Sequence, residues 1–395
     1  MTAYLNPSQL QTLCSLATRQ GGVSARTLAR KLDLPPALFR SLMRALAESG
    51  VTKAGAENDR LRFRPAFGEV MGIDLGASHL YYALADFSGK ILRESTQSIR
   101  PEDGPEPMVA QIKASIRSMC GKASPTGRTR GRRGADAPLR AIALGVPSPV
   151  DARRGIASFA NNLPGWENVP LRRVLEQEFG VPAGLENDAN MAAIGEHWRG
   201  VAQEAQTFVF IALGTGIGSG VFTDGRLLRG RTGAAGELYL MNIEWPRWRK
   251  NFPETGYFEN YVSGMGIAAE GNKLLRRGLP TQFRNLAEER DARFVFTAAR
   301  KGSPAARAIL EKSFTMLGVG TANLVAVLDP DLIVFGGGIV QAAPKLLLST
   351  VRKVVGRIQP HPPPLRASSL GGRAQTYGAI HSAIVAATEQ VLESS

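Results

Sequence analysis

Apolar positions in the first 64 residues recur with the three-to-four-residue spacing of helices. The first apolar stripe ends at Gly21-Gly22, Ser24 can cap a second helix, and a third is predicted from Pro36 to Glu48. Residues 51–64 then have the pattern of a short hairpin. Three helices followed by a hairpin predict a winged helix-turn-helix domain over residues 1–64.

The polar positions of this N-terminal segment are rich in arginine. They form two groups, one on the outer face of the third helix and one on the second arm of the hairpin: Arg40, Ser41 and Arg44, and then Arg60, Arg62 and Arg64. Arginines on a recognition helix can reach base edges, and a basic hairpin can contact phosphates. The pattern predicts binding to double-stranded DNA. The alternative is a small helical adaptor whose arginines are only solvated.

A different pattern begins after a short linker at residues 65–68. Strands are predicted at Glu69–Leu75, His79–Asp86 and Ile91–Gln97, separated by turns that contain glycine. The same order of strand, glycine turn, strand, glycine turn and strand recurs from Phe208 to Gly230. Two copies of one unit predict a duplicated fold with two lobes that face a cleft.

The second copy is the most glycine-rich stretch of the chain. Glycine occupies every second position from Gly214 to Gly220, directly after the apolar run Phe208–Leu213. Such a turn lets backbone N–H groups approach a phosphate closely, although a tight turn in a core sheet explains the same pattern. The dinucleotide-binding fingerprint does not fit, because another strand follows where that motif needs a helix.

Two further positions combine a strand end with polar or glycine residues. Asn187-Asp188 lies where a short strand ends and a helix begins, which suits either a reactive carboxylate or a plain helix cap. Gly336–Gly338 follows the apolar run 332–335 and offers a third close backbone approach for a nucleotide-like ligand. The arginine-rich residues 121–140 bury nothing and are expected to form a solvated surface loop, with contact to DNA phosphates as the alternative.

Composition narrows the class of protein. The 395 residues carry a net charge of +14, which favours a polyanionic partner but also fits a proteome that prefers arginine. The two cysteines form neither a disulfide framework nor a metal motif. We see no membrane-length apolar run and no secretory signal, so a cytoplasmic protein without membrane contact is expected.

Several motifs in order resemble those of the ROK family, the repressors, open reading frames and kinases. They are GIDLGAS, NNLPGW, LENDAN, IALGTGIGSG, GAAGE, DPDLIVFGGGIV and the final YGA, and they span roughly residues 70 to 380. The resemblance implies an α/β, actin/hexokinase-like fold, a duplicated ribonuclease H-like domain. We expect a first lobe at 69–185 and a second at 186–395, with the option that the C-terminal helix packs back on the first.

The resemblance also implies roles for individual residues. Asp188 matches the carboxylate that serves as general base in the family's kinases. Asn187 and Asn162 match amides that contact the sugar, and Glu237 and Glu259 match carboxylates that accept hydrogen bonds from its hydroxyls.

Three turns match the family's nucleotide-binding segments. Asp74 and Gly76 belong to the first phosphate turn, where the carboxylate helps to hold Mg²⁺. The second phosphate turn and the adenosine side match two glycine-rich groups: Gly214, Thr215 and Gly216, and then Gly336, Gly337 and Gly338.

The chain departs from the family pattern at the expected zinc site. The histidine that follows the matching glutamate is replaced by Leu240, and the three cysteines are replaced by Lys250, Phe252 and Tyr257. No structural zinc is therefore expected. The first phosphate turn also differs, because His79 stands where the kinases carry a cation.

The sequence supports two hypotheses for function. The first is a ROK-type transcriptional regulator, a repressor, that binds an operator as a homodimer or higher oligomer and senses a sugar or related effector. The second is an active ATP-dependent sugar kinase that carries a DNA-binding domain, and only this one requires ATP and Mg²⁺. The N-terminal domain resembles that of xylose and N-acetylglucosamine repressors, which favours the first. A module that only dimerises is a third option.

Overall fold

The computed structural model describes residues 5–52, 60–76, 78–120, 137–152, 154–159, 164–244, 246, 256–276 and 291–394. The chain forms two compact units. The first consists of residues 1–198 and 375–395, and the second of residues 199–374. The lobe boundary expected at residue 186 is therefore displaced to residue 198, and the last helix belongs to the first unit.

Residues 5–50 contain the expected three helices. These are α1 (Pro7–Ala17), α2 (Ala25–Leu32) and α3 (Pro36–Glu48). Asn6 and Gln9 form a capping box at the start of α1, and the Ser24 side chain caps α2 by accepting a bond from the Thr27 N–H. Asp33 ends α2 in the left-handed conformation, which produces the sharp turn into α3.

A short antiparallel ladder joins the helices to the rest of the unit. Strand β1 (Val23–Ser24) pairs with β2 (Arg60–Leu61), and Thr52 bridges to Phe63. The predicted hairpin tip, residues 53–59, lies outside the described residues.

The predicted linker at residues 65–68 is a folded segment instead. Pro65–Phe67 forms a 3-10 turn, and the Phe67 ring packs edge-on against Phe87 with 4.7 Å between centroids. The Arg140 guanidinium lies 4.1 Å from the centre of the Phe67 ring, and its Nε donates to the Phe67 carbonyl at 2.9 Å. This segment is ordered because Phe67 is buried, which the sequence pattern, with its proline, did not indicate.

A five-stranded sheet forms the centre of the first unit. Its members are β3 (Glu69–Leu75), β4 (His79–Asp86), β5 (Ile91–Ser98), β6 (Leu139–Val146) and β10 (Ala183–Asn187). The strand order is β10-β6-β3-β4-β5, with β10, β6 and β3 parallel. The pairing of β10 with β6 explains the displaced boundary, because a division at residue 186 would cut this sheet.

The remaining elements of the first unit surround this sheet. They are α4 (Pro105–Cys120), the small antiparallel sheet of β7 (Val150–Asp151), β8 (Ile156–Phe159) and β9 (Glu167–Val169), α5 (Leu171–Phe179) and α6 (Asp188–Arg199). Most of the arginine-rich segment, residues 121–136, lies outside the described residues.

The second unit contains a matching five-stranded sheet. Its members are β11 (Phe208–Leu213), β12 (Ile217–Thr223), β13 (Arg226–Leu227), β14 (Leu332–Gly336) and β15 (Leu365–Ala367), in the order β13-β12-β11-β14-β15. Six α-helices of this unit are described: α7 (Glu259–Val262), α8 (Gly264–Arg276), α9 (Ala292–Arg300), α10 (Pro304–Leu328), α11 (Gly338–Ala342) and α12 (Pro344–Ile358). The last of them leads into β15.

The two sheets have one strand order. In each, the first three strands form an antiparallel meander, and the fourth and fifth add in parallel on the other side of the first. The duplication predicted from the glycine turns is therefore confirmed. The last helix, α13 (Ala374–Glu393), packs against the first sheet, where Gly72 of β3 lies against Ile380. No described helix is long and apolar enough to cross a membrane.

Candidate functional site

The exposed face of α3 carries the residues that the sequence assigned to DNA. Arg40, Ser41 and Arg44 are all exposed, whereas Leu42 and Ala45 on the same helix are buried. The hydrophobic pattern therefore fixes which side of α3 faces outward. The neighbouring helix α2 adds exposed Arg26 and Arg30, which sequence reasoning did not single out, although their spacing of four residues was visible.

The three arginines of the hairpin have different surroundings. The Arg60 guanidinium donates to the carbonyls of Gly21 and Gly22 at 2.6 and 2.7 Å, so it holds the hairpin against the α1–α2 connection. Arg64 lies near the Gly50 carbonyl. Arg62 is exposed, and its aliphatic stem covers Gly22. Arg60 thus has a structural role that the sequence did not predict.

Two carboxylates lie at one edge of the first sheet. Asp74 is near the end of β3, and Asp188 follows β10 as the first residue of α6. Since β3, β6 and β10 are parallel, their carboxyl ends lie together. The topology therefore brings these two residues, separated by more than a hundred positions in sequence, into electrostatic contact.

Both residues are half-buried, and the protein around their carboxyl groups shields them from much of the water. Burial raises the pKa of Asp74 to about 7, and the negative charge of Asp188 adds to the shift. Burial also raises the pKa of Asp188 to about 6, opposed by hydrogen bonds from the Ala189 N–H and the Asn187 side chain. Within the described part of the chain, Asp74 Oδ1 is buried and has no hydrogen-bond partner. Such an oxygen is suited to accept a ligand hydroxyl or a cation.

Asn187 caps the helix that carries Asp188. Its Oδ1 accepts from the N–H groups of Ala189 and Asn190 at 3.0 and 3.2 Å, and its Nδ2 donates to the Ser148 carbonyl at 3.3 Å. Asn187 is therefore the residue that caps α6, whereas Asp188 carries a carboxyl group with a raised pKa.

Buried Glu186 supports this cap and was missed by sequence reasoning. Its Oε1 accepts from the Asn187 N–H and from Asn190 Nδ2 at 3.1 and 2.9 Å. The only signal in the sequence was a charged residue within a strand. Asn162 lies outside the described residues, so its assignment stays a prediction.

The glycine turn of the second unit contains a protein carboxylate. Glu259 Oε2 accepts the Ile217 N–H at 3.0 Å, and a Cβ placed on Gly216 would lie 2.4 Å from that oxygen. The Gly214 N–H donates to the Gly216 carbonyl at 3.0 Å, and the Gly214 and Thr215 carbonyls accept from the start of α8. Two N–H groups of the predicted phosphate turn are therefore already used within the protein.

A tyrosine next to the two predicted sugar-binding glutamates was also missed. Burial raises the pKa of Tyr239, and the negative charges of Glu237 and Glu259 raise it further, so both carboxylates act electrostatically on the phenol. The Ser219 hydroxyl donates to the Gly236 carbonyl at 2.7 Å and fixes the loop just before Glu237. Glu237, Glu259 and Tyr239 thus form one polar cluster within the second unit.

The structure describes two of the four positions at which the family pattern has zinc ligands. Leu240 is 56% exposed at the end of a 3-10 turn, and Tyr257 precedes α7. Backbone contact holds this region, because the Phe258 N–H donates to the Tyr239 carbonyl at 3.1 Å. Lys250 and Phe252 lie outside the described residues, and the absence of zinc stays a prediction.

The three glycines after β14 differ in what surrounds them. A Cβ on Gly336 would meet the Phe210 ring at 2.4 Å, and one on Gly337 would meet the Leu213 carbonyl at 2.3 Å. Gly338 has nothing within 4 Å of that position, so it alone faces open space. A cavity of about 360 Å³ lies beyond the other end of α11, and these glycines do not line it.

The fold and these polar clusters define an actin-like α/β protein of the sugar-kinase type. The chain belongs to the ROK family, whose family model matches residues 70–385. The resemblance drawn from the motifs is therefore confirmed.

Named relatives include both repressors and kinases. The chain is 27% identical over 372 residues to a putative xylose repressor of Caldicellulosiruptor, covering 91% of this chain and 90% of that protein. It is 32% identical over 295 residues to a glucokinase of Thermotoga maritima, covering 74% and 89%. A solved ROK family transcriptional regulator, a homologue of the E. coli MLC protein, has 21% identity, a TM-score of 0.79 and 99% coverage of both chains, which shows the shared fold.

The repressor match reaches into the N-terminal segment. A match to 91% of the chain is longer than residues 70–395, so the repressor match extends into the first 69 residues. The glucokinase match is short enough to exclude them.

Proposed function

We propose that this protein is a transcriptional repressor that binds double-stranded DNA and responds to a sugar. The observation that carries the proposal is the exposed Arg40–Ser41–Arg44 face of α3, joined to a sugar-kinase-type module. The α2–turn–α3 arrangement with the β1–β2 ladder has the plan of a winged helix-turn-helix, with α3 as the recognition helix. Similarity to a putative xylose repressor through the N-terminal segment supports this assignment.

Each unit carries polar groups of its own that would bind sugar hydroxyls. In the first unit, Asp188 would accept a hydrogen bond from a sugar hydroxyl, and Asn187 and Asn162 would supply amide contacts to the sugar. In the second, Glu237 and Glu259 would do the same. Carboxylates bind hydroxyls with charge-assisted hydrogen bonds, which are stronger than neutral ones. A sugar that prefers one conformation of the module would then shift the DNA-binding equilibrium.

We also propose a homodimer in the cytoplasm, without membrane contact. A winged helix-turn-helix reads one half-site, and two copies on a symmetric dimer read a palindromic operator. Both cysteines are unpaired, which suits a reducing compartment.

Operator binding by variants of α3 tests the proposal. Operator fragments would first be selected from genomic DNA by the wild-type chain. Loss of Arg40 and Arg44 together should weaken operator binding by about 2 to 6 kcal/mol, since each base contact contributes about 1 to 3 kcal/mol. Fluorescence anisotropy with operator and scrambled DNA would measure it. Arg307→Ala, an exposed arginine of the second unit, is the matched control. Unchanged discrimination in the double variant would refute α3 as the recognition helix.

The hairpin arginines allow a finer distinction. Arg62 is exposed and should contact phosphates, so Arg62→Ala should weaken operator and scrambled DNA equally and lower the salt slope by about one. Arg60→Ala should instead lower thermal stability, because it removes two bonds to the Gly21 and Gly22 carbonyls.

A second candidate function, an ATP-dependent sugar kinase, is favoured by one observation. Asp74 Oδ1 has no hydrogen-bond partner among the described residues, and together with Asp188 it fits a divalent cation, which would offset the repulsion between the two carboxylates. In that case Asp74 would hold the Mg²⁺ of Mg-ATP and Asp188 would accept the proton of the sugar hydroxyl. The glycine turn fits a phosphate less well, since the Glu259 carboxylate already accepts the Ile217 N–H. A coupled ADP assay over a sugar panel separates the two functions.

A further inference from the structure

Helix α6 carries a predicted sugar-binding residue at one end and a tryptophan at the other. Asp188 is its first residue, and Trp198 lies ten residues later, about 15 Å along the helix axis. Trp198 is only 3% exposed, and its Nε1 donates to Thr18 Oγ1 at 2.9 Å. Thr18 is the residue that ends α1 of the DNA-binding domain. One helix therefore reaches from the carboxylate to the N-terminal domain.

The C-terminal helix α13 completes the contact with α1. The His381 ring lies 5.2 Å from the Trp198 ring, and its Nε2 lies 2.9 Å from Ser15 Oγ. Cys14, the residue before Ser15 on α1, is fully buried. The last turn of α1 thus makes polar contacts with both α6 and α13.

Helices α6 and α13 are themselves packed too closely to slide freely. A Cβ placed on Gly378 of α13 would lie 1.8 Å from the Met191 carbonyl of α6. The Ser382 hydroxyl contacts Met191 Sδ at 3.6 Å. On the other side, Gly145 of β6 leaves room for the Met191 side chain, 3.2 Å from where its own Cβ would be. Closely packed helices move as rigid elements between discrete arrangements rather than deforming.

We propose that Trp198 and His381 are positioning residues that fix the DNA-binding domain on α6 and α13, and that α6 connects the Asp188 end of the sugar site to that domain. A sugar bound to Asp188 would displace α6. That displacement would move the Trp198 indole N–H, which donates to Thr18 at the end of α1. The inference rests on the proposed function, because the sugar is the ligand that displaces α6.

The first test measures docking without sugar or DNA. Hydrogen–deuterium exchange of the full chain would be followed in residues 7–17 for Thr18→Val and Trp198→Phe, which each remove one partner of the same bond. We expect exchange to become about fivefold faster in Trp198→Phe, the effect of losing one hydrogen bond. Thr18→Val also removes the bond from the Thr18 hydroxyl to the Cys14 carbonyl, so exchange should be at least as fast there, and no faster in the double variant than in Thr18→Val. Thr18→Ser keeps the hydroxyl and should restore wild-type exchange. Unchanged exchange in both single variants would overturn the positioning role.

Trp166→Phe is the matched control. Trp166 is also buried in the first unit, and in the part of the chain that is described its Nε1 has no hydrogen-bond partner. Its replacement removes an indole N–H without breaking a bond to α1. If Trp166→Phe accelerates exchange in residues 7–17 as much as Trp198→Phe, the effect is general loosening and the inference fails.

The second test measures the connection to the sugar site. Operator affinity would be measured with and without D-xylose and D-glucose, together with the affinity for the sugar alone. We expect the sugar-induced change in operator affinity to fall at least threefold in Thr18→Val and Trp198→Phe, at unchanged sugar affinity, and to persist in Trp166→Phe.

Two different results of the second test would contradict the connection between the sugar site and the DNA-binding domain. Full sugar response in both variants would overturn the connection through α6 while leaving the proposed function intact. A wild-type chain that binds the operator but responds to no sugar would overturn the proposed sensing function and the connection with it. The exchange experiment would still report on docking by itself.

Discussion

The two sheets have the same strand order, but the ends of their central strands carry different chemistry. In the first unit, β3 and β10 end at carboxylates whose pKa values are raised, and one oxygen of Asp74 has no hydrogen-bond partner within the described residues. In the second unit, β11 ends at a glycine turn, and the Ile217 N–H that follows the turn donates to the Glu259 carboxylate. Duplication has thus kept the backbone plan while the two turns serve different purposes.

The difference has a direct energetic meaning. A carboxylate removed from water without a partner is unfavourable until a ligand satisfies it, so the first unit is prepared for binding. The backbone donors of Gly214 and Ile217 are satisfied already, so a phosphate would have to displace protein groups. The comparison therefore favours a protein that binds a polar ligand over one that uses ATP efficiently.

Removal of the Asp188 charge should have the largest effect on this contrast. Asp188→Asn keeps the shape of the side chain but loses a charged acceptor, so affinity for a sugar ligand should fall about 10- to 100-fold. Isothermal titration with D-glucose and D-xylose would measure it. Asp224→Asn is the matched control, because Asp224 lies at the exposed β12–β13 hairpin. Equal sugar affinity in Asp188→Asn and wild type would exclude Asp188 from the site.

Asp74→Asn should stabilise the protein at pH 8. The folded-state pKa of Asp74 is raised to about 7 from 3.8, so the folded state holds its proton more tightly and loses stability as pH rises through that value. Replacing the carboxylate should add about 1 to 2 kcal/mol to the free energy of unfolding at pH 8. This is less than the free energy that corresponds to the full pKa shift, because Asp74 is partly exposed and solvent screens its charge.

Urea unfolding at two pH values would measure this effect. At pH 4 the native Asp74 is already protonated, so the stabilisation should nearly disappear. A loss of stability at pH 8 would instead mean that ionised Asp74 has a stabilising partner such as a bound cation.

The two glycines of the second turn should respond differently to a methyl group. Gly216→Ala should cost about 1 to 2 kcal/mol, because the new Cβ would force Glu259 Oε2 away from the Ile217 N–H. Gly214→Ala should change stability by less than about 0.5 kcal/mol, since nothing lies within 4 Å of that position. Thermal unfolding would compare them. Equal costs in the two variants would contradict the role given to Glu259.

The smallest predicted effect is the pH dependence of sugar binding. With the pKa of Asp188 raised to about 6, lowering the pH from 7.5 to 5.5 should reduce the ionised fraction, and with it the affinity, about fourfold. In Asp188→Asn this dependence should disappear. A constant affinity across that range in the wild type would show that the sugar does not require the Asp188 charge.

Local patterns made much of the fold predictable from sequence. Caps and spacing predict the helices of the N-terminal segment. Turn chemistry predicts the glycine turns and the hairpin at Asp224-Gly225, whose two residues both have positive φ. The boundary at residue 198 did not, because the pairing of β10 with β6 depends on which distant strand is adjacent.

The sequence predicted which residues belong to the candidate site, but not which of their side chains interact. Motifs identified Asp74, Asp188 and Glu259, but no pattern indicates that Glu259 enters the second turn or that Tyr239 lies beside it. Likewise, Arg60 and Arg62 look equivalent in sequence, and only the fold shows that Arg60 is bonded to carbonyls. Side-chain partners that are distant in sequence are decided by packing.

The most direct test of the central claim follows operator binding and ADP release in one preparation of the full chain. Labelled operator would be titrated with protein at several concentrations of D-xylose and D-glucose, and the same samples with Mg-ATP would be assayed for ADP. We predict that at least one sugar changes operator affinity tenfold or more, with no sugar-dependent ADP release. Sugar-dependent ADP release that Asp188→Asn abolishes, with operator affinity unchanged by any sugar, would contradict the assignment.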